Sequence, residues 1–169
     1  KDIILQSDDG SGGTTTYFYL DGSLSTPYTR FPDSSILAFG TDADLAINHN
    51  GTNSLIENYV GNLEIINNTD DGDIIFKSDD GSGGTTAYLT LDGSAEQTRF
   101  YKDTRHTDNI KANFGNGDDL QIYHNGSTNN NNIENNTGDL YITQYVDDSD
   151  IIFRSDDGSG GVTPYFTVD

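Results

Sequence analysis

Apolar positions in this chain come in twos and threes, spaced two residues apart and cut off by Gly, Asn and Asp. In Tyr17-Phe18-Tyr19-Leu20, Tyr88-Leu89-Thr90-Leu91 and Tyr165-Phe166-Thr167-Val168, every second residue is apolar and its neighbours are Tyr or Thr. That period of two belongs to a half-buried strand. It puts Phe18 and Leu20, Leu89 and Leu91, and Phe166 and Val168 on inward faces. Ile3 and Leu5, Ile74 and Phe76, and Ile151 and Phe153 likewise share one face, with Gln6, Lys77 and Arg154 on the other. Asp44-Leu45-Ala46-Ile47 and Asn62-Leu63-Glu64-Ile65 continue the pattern, as do Leu120/Ile122 and Leu140/Ile142. Gly-rich, Asn-rich and Asp-Gly turns separate the strands. No stretch holds an apolar period of 3.6 over three turns, so the pattern predicts strands and essentially no helix.

The pattern also repeats at long range. Asp2-Ile3-Ile4 through Gly13 returns as Asp73 to Gly84 and again as Asp150 to Gly161. Successive copies divide the chain into a repeat over 1–72, a second over 73–149 and a partial third over 150–169. The offset is 71 residues at the first block, 69 at Thr98-Arg99-Phe100, 75 at Phe114-Gly115 and 77 at Ile133-Glu134-Asn135. The copies therefore differ by two residues lost before Thr98, six gained between Phe100 and Phe114, and two gained within Asn129 to Asn132. Surface loops tolerate such changes and paired strands do not, so all three places are expected to be loops. Repeats of strand-like units build elongated objects by stacking. The expected fold class is all-β, an elongated β-solenoid or a triple-stranded β-helix or β-prism fibre, assembled as a parallel homotrimer.

Composition favours association. Only 32% of the 169 residues are hydrophobic, too few to offset a backbone entropy of roughly 1–2 kcal/mol per residue in one chain. The alternation and the 18 aromatic residues (ten Tyr, eight Phe) argue against disorder. Burial supplied by identical copies satisfies both facts and also covers open sheet edges. The net charge of −20 repels phosphate backbones, so nucleic acid is not an expected partner. Cysteine is absent, which excludes a disulfide framework and thiol chemistry. No run of 18 apolar residues is present, so no helical membrane insertion is expected. A chain that starts and stops inside a repeat is expected to be part of a longer protein.

The run Asp-Ile-Ile-Phe-Lys-Ser-Asp-Asp-Gly-Ser-Gly-Gly from Asp73, then Leu91-Asp92-Gly93-Ser94, Thr98-Arg99-Phe100 and Asp119 to Gly126, resembles repeats in tail-fibre and virion structural proteins of marine bacteriophages. Residues 73–100 and 114–142 carry it most clearly. The resemblance implies a homotrimeric β-rich fibre shaft on an extracellular virion, a non-catalytic spacer supporting host attachment. Implied partners are further copies of itself, other tail or virion proteins through parts of the protein beyond these residues, and a host surface glycan. The self-cleaving chaperone domain and receptor-binding tip that often end such fibres are not recognisable in residues 1–169.

Candidate chemistry is weighed against that reading. His49 and His124 are equivalent and share strand parity with Leu45/Ile47 and Leu120/Ile122. Three copies meeting near an axis would offer imidazoles to a metal, yet each chain brings one His per site. A hydrogen-bonded structural His at a strand end is the reading adopted, and no cofactor or metal is assigned. His106 falls in the six-residue insertion and is expected to be exposed. The acidic pairs Asp8-Asp9, Asp79-Asp80 and Asp156-Asp157 suggest a Ca²⁺-stabilised adhesin or β-roll as an alternative, but the calcium-loop and nonapeptide spacings are missing. Turn chemistry explains them better, with Asp accepting backbone amides and Gly supplying positive φ. A polysaccharide depolymerase is the weaker alternative, since no unique carboxylate pair stands out and no catalytic residue is assigned. Arg99, Lys102, Arg105 and Lys111 hold half of the eight basic residues, on a face expected to be solvated and acidic.

Overall fold

The computed structural model describes all residues, Lys1–Asp169, as fourteen strands without a helix. The all-β class is thereby established. The first sheet holds β1 (Ile3–Asp8), β2 (Thr14–Asp21) and β3 (Tyr28–Arg30); the second holds β4 (Leu37–Phe39), β5 (Leu45–His49) and β6 (Ser54–Asn58). The third is β7 (Ile74–Asp79), β8 (Thr85–Asp92) and β9 (Gln97–Phe100). The fourth is β10 (Ala112–Phe114), β11 (Leu120–Asn125) and β12 (Asn130–Asn135), and the last pairs β13 (Ile151–Asp156) with β14 (Val162–Val168). Each sheet joins strands adjacent in sequence, and no sheet closes into a barrel. Contacts divide the chain into two compact units, Lys1–Ile74 with Asp92–Gln97, and Ile75–Leu91 with Thr98–Asp169.

Hairpin turns are set by side-chain chemistry at fixed places. Between β1 and β2, the Asp9 carboxylate accepts the amides of Ser11 (2.8 Å) and Gly13 (3.0 Å) and the Ser11 hydroxyl (2.9 Å). Asp80 repeats this with Ser82 (2.8 Å) and Gly84 (3.0 Å), and Asp157 with Ser159 (2.7 Å) and Gly161 (3.1 Å). Gly12, Gly83 and Gly160 sit at φ of +91°, +90° and +85°, a region that disfavours any Cβ. A β-bulge after Leu5 leaves Tyr17 as the extra residue, and one after Phe153 does the same for Tyr165. Their hydroxyls, and that of Tyr88, donate to the carbonyls of Asp8, Asp156 and Asp79 at 3.2, 3.0 and 2.9 Å.

Two expectations need correction. The two-residue gain at Asn129 to Asn132 is not confined to a loop. His49 pairs Ser54 in the first copy, whereas in the second His124 pairs Asn131 and a further rung, Asn125 with Asn130, is added. An even insertion in a hairpin adds one residue to each strand and keeps every side chain on its face, so a paired strand can absorb it. The second concerns Asn62–Ile65 and Leu140–Ile142, which form no strand. Their alternation is right for one, but a strand exists only where a partner pairs with it.

Burial is sparse. Ala46 is the only buried apolar residue, and the other buried residues are Asp21, Thr90 and Gln121. The chain exposes 13754 Å². By mass scaling, a folded monomer of its size exposes about 8,200 Å², and two independent halves about 9,900 Å² together.

Candidate functional site: an uncovered apolar face

Strand registers sort side chains onto two unlike faces. In the second sheet Leu37 pairs Ile47, which pairs Ile56, and Phe39 pairs Leu45, so these five share a face that ends at His49. In the fourth sheet Ala112, Ile122 and Ile133 form the matching rung, Phe114 and Leu120 the next, and His124 the end. The first sheet brings Ile3, Leu20, Leu5 and Phe18 together, with Phe31 stacked on Phe18 at 5.6 Å between centroids. The last places Ile151, Val168, Phe153 and Phe166 on one face, the two rings 5.6 Å apart. The expected inward sets of these sheets therefore share faces as register requires.

Within one chain, however, these faces are the uncovered ones. Ile122 sits on a central strand and is still 43% exposed, and Phe166 is 59% exposed. The residues that are covered lie on the opposite face: Ala46, Asp21 and Gln121 are each on the middle strand of a sheet and out of phase with its apolar set. Polar neighbours do the covering. Lys111 Nζ donates to Gln121 Oε1 at 2.6 Å, lies 3.8 Å from Glu134 Oε2 and stands 4.4 Å from the Tyr123 ring centroid. The Tyr123 hydroxyl donates to Glu134 at 2.9 Å, a bond that holds its pKa above the usual value.

In the first sheet the Arg30 Nε meets Asp21 Oδ2 at 3.1 Å and its guanidinium stands 5.4 Å from the Tyr28 ring. Asp21 also accepts the Ser23 hydroxyl (2.6 Å) and amide (3.0 Å), and these bonds, with Arg30 adding to them, keep its carboxyl below the ordinary range. In the first and fourth sheets these polar groups are paired within the chain and gain little from a partner. An apolar face left in water gains more.

His49 and His124 end the apolar face, as parity predicts. Each Nδ1 has a hydrogen-bond partner across its own hairpin, Ser54 Oγ at 3.2 Å and Asn131 Oδ1 at 3.0 Å. His106 is exposed, as expected, and borders the same open depression of about 490 Å³ as His124, with Thr104 and Asn131. The insertion carrying His106 has no counterpart in the first repeat, so periodicity held no signal for this placement. No group of three or more His, Asp or Glu side chains is placed to hold a metal ion. Of the basic residues from Arg99 to Lys111, Lys111 belongs to the polar network and Lys102 stands 5.9 Å from the Tyr88 ring. Comparison of the chain with protein-family models, with curated proteins and with solved structures finds no match.

Proposed function

We propose that this chain is a shaft segment of a trimeric, β-rich tail fibre on a phage virion, a stiff spacer that supports host attachment without catalysis. One observation supports the trimer above others. The chain leaves some 4,000–5,500 Å² more surface in water than one or two folded units of its mass, and the apolar faces make up part of it. Obligate interfaces bury roughly 2,000–5,000 Å², so the excess matches what assembly removes. The repeated order of the sheets along the chain supports a parallel arrangement, in which equivalent faces meet. The finer architecture, a solenoid or an intertwined β-prism, follows from that packing. The virion setting and the host-glycan and tail-protein partners rest on the sequence resemblance.

The mechanism is mechanical. Three copies turn apolar faces inward and polar faces outward, and 28 acidic side chains per copy keep the assembly soluble. Light scattering after size exclusion tests it. A mass near three chains supports the shaft, and a folded monomer refutes it.

A further inference from the structure

The connections after the second and fourth sheets are alike and anomalous. Asn62-Leu63-Glu64-Ile65-Ile66 and Asp139-Leu140-Tyr141-Ile142-Thr143 occupy equivalent positions 77 residues apart. Each follows a glycine with positive φ, Gly61 at +72° and Gly138 at +69°, and each precedes a left-handed Asp, Asp71 at +56° and Asp148 at +57°. Neither stretch belongs to a strand or makes a backbone–backbone hydrogen bond. Leu63 and Ile65, and Leu140 and Ile142, are all exposed, Ile65 by 62% and Ile142 by 63%. Water can satisfy the amides, but nothing within the chain accounts for two equally spaced apolar side chains in each stretch.

We infer that residues 62–66 and 139–143 are inter-chain strands, each adding to an open sheet edge of a second copy of this chain. The inference rests on the trimer reading and specifies how the copies engage. Five residues is an ordinary strand length, and the period of two would carry Leu63 and Ile65, or Leu140 and Ile142, onto one face of the sheet they join. The edges exist: β4, β6, β10 and β12 each have one side without a strand neighbour. The occupant is another copy because each repeat supplies one such stretch together with one such sheet, so every segment finds an edge when equivalent chains lie side by side. Two chains each carrying −20 cannot be drawn together by charge. Backbone pairing and apolar contact are the forces left, and these segments offer both.

Hydrogen exchange with mass spectrometry on the whole chain, beside its light-scattering mass, tests this. In the trimer alternate amides within 62–66 and 139–143, those facing the joined edge, are expected to exchange at least roughly 100-fold more slowly than unprotected ones. Alternate amides of an added strand face the joined edge, so two double variants of opposite parity, Glu64→Pro with Tyr141→Pro and Ile65→Pro with Ile142→Pro, ensure that one removes a paired donor from each strand. At least one is expected to shift the mass towards monomer. A trimer whose two segments exchange at unprotected rates overturns the inference and leaves the shaft standing. So do proline variants of both parities that stay as trimeric as the parent. A monomeric parent overturns both.

Discussion

Replacing Ile122 tests the orientation of the faces directly. Ile122 lies at the middle of the fourth sheet between Ala112 and Ile133 and is 43% exposed in the single chain. Burying a whole aliphatic side chain of this size contributes about 1.5–3 kcal/mol. Covering the exposed part of Ile122 is therefore worth about 1 kcal/mol per copy, or about 3 kcal/mol in a trimer. Ile122→Ala forfeits most of it, which weakens the trimer association constant about 100-fold. Ile122→Asp adds the cost of removing three carboxylates from water, several kcal/mol each, and is expected to leave only monomer at micromolar concentration. Asn113→Asp is the control, since Asn113 pairs with Gln121 on the satisfied face and its charge stays in water. Sedimentation equilibrium over a hundredfold concentration range measures all three. The reasoning is refuted if Asn113→Asp dissociates the assembly while Ile122→Asp leaves it intact.

Further outcomes follow from the turns and the charge. Gly83→Ala, at φ +90°, is expected to cost about 1–2 kcal/mol in thermal or urea unfolding through left-handed strain. Gly93→Ala sets a Cβ 2.6 Å from the Gly72 carbonyl oxygen and is expected to cost about 1–3 kcal/mol. Gly22→Ala at the equivalent turn meets the Lys1 oxygen at 3.6 Å and is expected to be tolerated. Backbone hydrogen bonds from Ser11 and Gly13 lower the Asp9 pKa, and bonds from Ser82 and Gly84 lower that of Asp80. Their stabilisation is complete above the unfolded value of about 3.9 and is lost as pH falls through the folded pKa. Melting temperature measured against pH is therefore expected to show the full contribution of these turns, with no pH dependence from them, at pH 5–8 and a loss below about pH 4. Raising salt from low ionic strength to about 0.3 M screens repulsion between chains of −20 and is expected to tighten the trimer. EDTA is expected to leave the melting temperature unchanged, and unfolding on chelation would instead favour a Ca²⁺-held roll.

The alternation of apolar residues was enough to place most strands, because a strand's period of two is written in consecutive side chains. It set the facing of Ile3 with Leu5 and of Phe153 with Phe166, and the parity of His49 and His124. The Asp-Asp-Gly-Ser-Gly-Gly turns were legible for a related reason: the hydrogen bonds of Asp9, Asp80 and Asp157 span no more than four residues. Pairing and covering are different in kind. That β11 gains a rung at Asn125, that Asn62–Ile66 finds no partner in its own chain, and that Lys111 lies over Gln121 depend on residues apart in sequence whose meeting no local period encodes. Tertiary structure also decided which face is covered. Side-chain chemistry marks Ile122 as a residue that belongs in a core, but only the packing shows that one chain builds that core on neither side of the sheet and leaves the apolar side open.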